Sequence, residues 1–337
     1  MKWNWGFILR RLAYSVLALV GLSILVFAIA RVLPGDPVRL ALGPHASASA
    51  VFQLRIQLHL NQPIWLQYIY WIEGIFTGNW GISLFTHRNV LTDVEAFLPA
   101  TLELLIAAAA IDILIAVPLG VIAGRRENTV VDNAVRVLSY VGIAIPSFVV
   151  AIFLQHFFPS YVGQLSPGVQ PPPHITGLAF LDALVTAHFS TAWNALLHII
   201  PPAFALALGP IAQEARIMRS SVVENLGRDY TVAEISRGLP ERVITLKYLM
   251  KPSLIPTITI YALDISSLIA NAFLVELIFN WGGFSQYGLN AILSKDLNAI
   301  VAVVMIAGVL FVISNFLVDL TVGYLDPRIR LQSRSDE

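Results

Sequence analysis

Apolar residues in this chain are gathered into six long runs, which polar and charged segments separate. A helix needs roughly 20 mostly apolar residues to cross the hydrocarbon core of a bilayer, and each of the six runs is long enough to do so. The pattern therefore predicts an all-α integral membrane protein with six transmembrane helices, at residues 12–30, 98–123, 137–158, 196–217, 255–279 and 299–318.

Composition supports a membrane protein and excludes several other classes. Hydrophobic residues make up 57% of the 337 residues and charged residues only 12%, unlike an ordinary soluble domain. The formal net charge is zero and the basic residues form no tail, which argues against a nucleic-acid partner. The chain has no cysteine, so disulfides, thiolate nucleophiles and Cys-ligated metals are excluded.

The distribution of Lys and Arg between the runs predicts the orientation, because basic residues are retained on the cytoplasmic side of a membrane. Successive segments outside the six runs lie on alternate sides of the membrane. The segments on one side hold sixteen Lys and Arg residues, and those on the other side hold five. We therefore expect both termini in the cytoplasm. The set of five is Arg31, Arg39, Arg55, Arg88 and Lys295.

The outer segment at residues 32–97 is long enough to form helices of its own. Its stretch Pro63–Trp71 is aromatic and amphipathic, which suits the membrane interface, where such rings keep one edge in water. A soluble lid that packs on the rest of the protein is the alternative.

The cytoplasmic loop at residues 218–254 is the most informative segment. Its periodicity predicts a short helix, Tyr230 to Arg237, after a break at Gly227. Asp229 is expected to be the N-cap, and Gly238 is expected to end the helix in a left-handed conformation. The face predicted for this helix continues back through Val223 and Leu226 and includes Ala233. Such a helix could contact a separate soluble protein or the rest of this chain.

This loop resembles the EAA loop of permeases in the dipeptide/oligopeptide/nickel family of ATP-binding-cassette (ABC) importers. Members carry a pattern close to DY-x-x-TARAKGL, followed after a basic helix by an ending such as A-L-I-P. Here residues 229–239 read DYTVAEISRGL, and residues 253–256 read SLIP. Glu234, Pro240 and Pro252 depart from the family pattern.

Further family-like motifs occur in order along nearly the whole chain. They are PGDPV at 34–38, GNWGIS at 78–83, ATLEL at 100–104, His198 with Pro201, ELIFNWGG at 276–283, Asp319 and DPRIR at 326–330.

The resemblance implies a type I ABC importer permease fold in a bacterial-type inner membrane, whose EAA-type loop carries a coupling helix. It also implies four kinds of partner: a second homologous permease, two ABC ATPase subunits, an extracytoplasmic substrate-binding protein and the lipid bilayer. The chain itself would be non-catalytic and hold no cofactor or metal, with ATP and Mg bound by the ATPases. The implied coupling residues are Asp229, Tyr230, Ala233, Glu234, Arg237, Gly238 and Leu239.

Ionisable residues at membrane depth are costly unless they are paired or hydrated. Asp112, Asp264, Asn271 and Glu276 are therefore candidates for the translocation pathway, where carboxylates could meet a peptide amino terminus or a cation. The alternative is that these side chains form hydrogen bonds to neighbouring helices. For Glu103 and Glu276, which lie near the outer ends of the spans, this alternative or simple solvation is favoured over a pathway role.

Short peptides are the expected cargo, and nickel, oligosaccharides and antimicrobial peptides are alternatives within the family. An ion-coupled secondary transporter that uses Asp112 and Asp264 is a competing class. An integral-membrane hydrolase is a third, since Ser-His-Asp chemistry is not excluded by composition, although no G-x-S-x-G context supports it.

Overall fold

A computed structural model describes residues 5–32, 47–57 and 59–325, and the regular structure in these ranges is helical. Motif residues 34–38 and 326–330 lie outside the described ranges. We number the helices α1 Trp5–Val32, α2 Ala48–Gln57, α3 Ile64–Phe76, α4 Val90–Arg125, α5 Val130–Ala144, α6 Ser147–Phe157, α7 Ala179–Val185, α8 Phe189–Leu226, α9 Asp229–Ser236, α10 Met250–Phe279, α11 Phe284–Leu293 and α12 Leu297–Leu325. Shorter turns occur at Pro159–Tyr161, Glu241–Val243 and Ile244–Leu249.

Four helices in the described ranges are long and apolar enough to cross a membrane, namely those within α1, α4, α8 and α12. Two bent helix pairs, α5 with α6 and Glu241–Ile265 with Ser267–Phe279, raise the number to six if each pair is one span. That number agrees with the six apolar runs. Each of the four long helices extends beyond the run predicted for it.

The third predicted span, 137–158, is wrong as a single continuous helix. The chain bends by 100° between α5 and α6. The bend falls at Pro146, which has no N–H to continue a helix and holds the preceding Ile145 in an extended conformation. Pro252, by contrast, does not break its helix: it lies in the first turn of α10, where a missing N–H costs little.

Helix α8 is the centre of the fold and packs against α4, α5, α6, α7 and α10. Small residues allow this close packing. A Cβ atom added at Gly120 would lie 2.5 Å from Met218 Cβ, and one at Gly124 would lie 2.7 Å from Val222 Cβ. The interface between α4 and α8 therefore depends on glycine at both positions.

At the end of the bundle opposite α9, buried acids attach the connecting loops to the helices. Asp296 accepts hydrogen bonds from Ser83 Oγ and from the Leu84 backbone N–H, both at 2.6 Å. Glu103 accepts from the backbone N–H groups of Ala179 and Phe180 at the start of α7. These loops are therefore fixed to the ends of α4 and α12.

Asp182 closes the loop before α7. Burial alone would raise the pKa of its carboxyl group, but hydrogen bonds from the Thr176 hydroxyl and from the N–H groups of Thr176, Ile175 and Gly177 hold that pKa below its usual range. The group is therefore a carboxylate that organises the loop at neutral pH.

Candidate functional site

The predicted short helix is present as α9, and it starts one residue earlier than its sequence pattern indicated. Helix α8 ends at Leu226, and Arg228 is the extended residue that precedes α9. The prediction of Asp229 as the N-cap is wrong, because Asp229 is already the first helical residue and Arg228 occupies the N-cap position, without a side-chain cap hydrogen bond. An acidic residue in this first turn still interacts favourably with the helix dipole.

The inner side of α9 is fixed by hydrogen bonds to the end of α8. Thr231 is fully buried, and its hydroxyl donates to the backbone carbonyl of Asn225 over 2.7 Å. The Tyr230 hydroxyl donates to Asn225 Oδ1 over 2.5 Å. Asn225 Nδ2 in turn donates to Ser253 Oγ in α10 over 3.2 Å. Asn225 therefore connects α8, α9 and α10.

The other end of α9 is closed as the sequence predicted. Gly238 has a φ of +74°, in the left-handed region. The N–H of Gly238 donates to the carbonyl of Ile235, and the N–H of Leu239 donates to that of Glu234. This pair of bonds is a Schellman motif, which satisfies the last carbonyl groups of the helix. The predicted left-handed helix end at Gly238 is confirmed.

The outer side of α9 exposes apolar side chains next to charged ones. Val232 and Ile235 are half exposed, and Ala233 is exposed beside them. Arg237, at the helix end, forms an ion pair with the half-buried Glu234. The outer side therefore combines an apolar patch with an ion pair, a composition suited to a protein partner.

The single face predicted to run from Val223 through Leu226 to Arg237 is wrong. The chain leaves the helical conformation between Leu226 and Asp229, so α8 and α9 are separate helices. The predicted break at Gly227 is confirmed, and the side-chain spacing alone overlooks it because Gly227 and Arg228 interrupt the helix without changing that spacing.

A second connection runs from the end of α4 to the segment after α9. Arg125 Nη1 donates to the Glu241 carbonyl over 2.9 Å and also bonds the Thr245 hydroxyl, and its guanidinium pairs with the Glu241 carboxylate at 3.0 Å. The Glu241 side chain is exposed, so the ion pair itself adds little. Ile244–Leu249 forms a π-helical turn whose Ile244 and Leu249 side chains are buried. The segment joining α9 to α10 is thereby attached to α4.

A buried ion pair connects α5 to α8 near the same end. Arg219 donates to both oxygens of Asp132, at 2.8 Å from Nε and 2.7 Å from Nη2. The Asp132 carboxylate is fully buried, while Arg136 approaches it at 3.4 Å from a more exposed position. Sequence analysis missed this pair, since no spacing signal relates residues so far apart in the chain.

The candidate pathway residues divide into two groups. Glu276 is fully buried and accepts hydrogen bonds from the Thr101 hydroxyl at 2.5 Å and the Gln286 N–H at 2.9 Å. Asp112 is also buried. Asp264 is partly exposed and accepts from Gln213, and Asn271 is exposed. Only Asp264 and Asn271 thus reach a surface of this subunit, and Glu276 bonds neighbouring segments as the alternative interpretation expected.

Comparison with known proteins places the chain in a family. The family model described as "Binding-protein-dependent transport system inner membrane component" matches residues 116–331, and the model for the N-terminal region of such membrane components matches residues 5–105.

Relatives match over almost their full length. The chain is 35% identical over 332 residues to the "Probable D,D-dipeptide transport system permease protein DdpB" of Escherichia coli K12, covering 96% of this chain and 97% of the relative. It is 33% identical to the dipeptide permease DppB of Alkalihalophilus pseudofirmus and 30% identical to the oligopeptide permease AppB of Bacillus subtilis, each with 96% of this chain and 99% of the relative covered.

The short helix at the end of α8, the helical bundle and the two family models agree with the resemblance seen in the sequence. The type I importer permease fold is confirmed. The chain belongs to the family of binding-protein-dependent transport system inner membrane components, and it is a transmembrane permease subunit of that family.

Proposed function

We propose that this chain carries short peptides through the membrane as one permease of an ATP-driven importer, and that α9 is the helix which receives movement from an ATPase. The observation that carries the proposal is the construction of α9. Its inner side is hydrogen-bonded to Asn225 of α8, which in turn bonds Ser253 of α10, while its outer side exposes Val232, Ala233 and Ile235. A helix attached at both ends can transmit a push from a partner to the helices that hold it.

Movement of α9 would reach the bundle by two routes. The first passes through Asn225 into α8 and α10. The second passes along the π-helical turn to Arg125 at the end of α4. Since α4, α8 and α10 form the core, a shift of α9 would change the orientation of the helices that surround the translocation pathway. Asp264 and Asn271 are the candidate lining residues of that pathway. In α9 and the three residues after it, the residues proposed to couple to the ATPase are those named from the sequence, with Val232 and Ile235 added.

The remaining partners follow from the family. A substrate-binding protein would dock on the loops that Asp296, Glu103 and Asp182 fix at the opposite end of the bundle. A second permease and two ATPase subunits would complete the importer. Both chain termini would then be cytoplasmic, on the same side as α9, and nucleotide and Mg would be bound by the ATPases. Peptide cargo is supported by the names of the relatives, which are dipeptide and oligopeptide permeases.

Uptake by the reconstituted complex tests this proposal. Proteoliposomes that hold the permeases and ATPases, supplied with binding protein and a labelled dipeptide, should accumulate label only with ATP. Ionophores that collapse ion gradients should leave uptake unchanged, and excess unlabelled dipeptide should compete while a nickel chelate or an oligosaccharide should not. Uptake driven by an ion gradient without ATP would instead indicate a secondary transporter.

A further inference from the structure

Two acidic side chains meet in the interior of the bundle without a basic partner. They are Asp112 in the middle of α4 and Glu214 in α8, and they are 1% and 0% exposed. Asp112 Oδ1 and both Glu214 carboxyl oxygens are buried and receive no N–H or O–H hydrogen bond from another residue in the described part of the chain. A buried carboxylate in that situation is strongly destabilised.

The two carboxyl groups lie within hydrogen-bonding reach of each other. Each carboxylate oxygen is an acceptor, so two ionised carboxylates cannot form a hydrogen bond. One bond becomes possible when one of the two groups carries a proton, as in other carboxyl pairs that share a site.

The surroundings supply no positive charge to replace that proton. The ionisable groups that act on the pair are Asp264 and Tyr261, both from α10. Asp264 is itself acidic and accepts from Gln213, and the Tyr261 hydroxyl donates to the Ala109 carbonyl over 3.1 Å. From α8 and α5, Arg219 and Arg136 are paired with Asp132.

Other nearby elements do not change this balance. Arg216 of α8 lies over the Tyr140 ring, and His156 of α6 is exposed. On α7, Asp182 is bonded to its own loop. No group of three His, Asp or Glu residues in the described ranges could hold a metal ion. A proton, unlike a metal ion, can be held by two carboxyl groups without further ligands, and it therefore suits Asp112 and Glu214.

We propose that Asp112 and Glu214 form a proton-binding site inside the permease, in which one carboxyl group donates to the other across the interface between α4 and α8. The site does not depend on ATP or on the cargo. It lets two acids remain buried where Gly120 and Gly124 bring the two helices close together, and it is distinct from the surface-reaching Asp264.

Infrared spectroscopy of the purified complex in lipid nanodiscs tests the proposal at about pH 7, where an exposed carboxyl group is ionised. Wild-type protein should show the C=O stretch of a protonated carboxyl group. Both E214Q and D112N should remove it, because the introduced amide N–H can donate to the remaining carboxylate in place of the shared proton. Glu95→Gln is the matched control, since Glu95 is exposed on the same helix as Asp112. It should leave that signal unchanged.

If either variant fails to assemble, wild-type protein labelled with carbon-13 at the aspartate or glutamate carboxyl carbon replaces it. The C=O band of the protonated carboxyl group should then move to lower frequency, either with the aspartate label or with the glutamate label. Retention of the full signal in E214Q and D112N, or no movement with either label, would overturn the proton site.

Discussion

Replacing Gly238 with valine is expected to lower ATP-driven uptake about tenfold or more, while the subunit remains inserted in the membrane. Gly238 has a φ of +74°, and a residue with a Cβ pays roughly 1–2 kcal/mol in that left-handed region, with β-branched residues the least tolerated. Relief of this strain would break the two hydrogen bonds that end α9. The measurement is the initial rate of peptide uptake in proteoliposomes at matched permease content.

Gly238→Asn is the matched control for this variant. No atom lies within 4 Å of a Cβ placed at position 238, so neither side chain meets a steric obstacle in the subunit. Asparagine tolerates the left-handed conformation far better than valine, so its uptake should stay close to that of the wild type. Equal loss in both variants would show that backbone conformation at this residue is not what matters.

Removing the Arg219 side chain is expected to destabilise the permease by about 3 kcal/mol, because the fully buried Asp132 carboxylate would lose both of its short bonds to the guanidinium. Arg219→Ala should therefore lower the midpoint of thermal unfolding in detergent and reduce the amount of assembled complex. The loss would arise because the buried carboxylate would keep only the Asn128 N–H and the longer contact with Arg136, rather than from the ion pair as such.

Arg136→Ala separates this effect from a general loss of positive charge. Arg136 contacts the same carboxylate at 3.4 Å from a position that is partly exposed, so its removal should cost under about 1 kcal/mol. The double replacement Asp132→Asn with Arg219→Gln should recover part of the stability. If Arg136→Ala proved as destabilising as Arg219→Ala, the buried pair would not be the main connection between α5 and α8.

The bundle could be predicted from the sequence because bilayer thickness imposes a length on apolar runs. The end of α9 at Gly238 was predictable for a similar reason, since glycine tolerates the left-handed conformation of a helix end. Both signals are local. They depend on composition or backbone geometry within a few residues.

Contacts between distant residues could not be read in this way. The ion pair of Asp132 with Arg219 depends on how α5 packs against α8. Glu214 lies inside the predicted span 196–217 and was not among the candidate residues, yet it is fully buried. Its pairing with Asp112 became visible only when the two helices were placed side by side.

The apolar run at 137–158 was predicted from the sequence, but its bend at Pro146 was not. Proline in an apolar run is tolerated in many transmembrane helices, so Pro146 alone did not divide the predicted span. Asp229 was assigned to the cap because Asp is a favoured N-cap residue. The chain begins the helix one residue earlier, and hydrogen bonds of Thr231 and Tyr230 to Asn225 hold its first turn against α8.

The central claim, that α9 meets an ATPase on its outer side, is tested most directly by site-specific cross-linking. The natural chain has no cysteine, so Ile235→Cys gives a single position for a photoactivatable maleimide on that side of α9. Val185→Cys, exposed on α7 at the opposite end of the bundle, is the control. The account predicts an adduct between position 235 and the ATPase and none from position 185. Adducts of position 235 with the substrate-binding protein or with its own chain alone would contradict it.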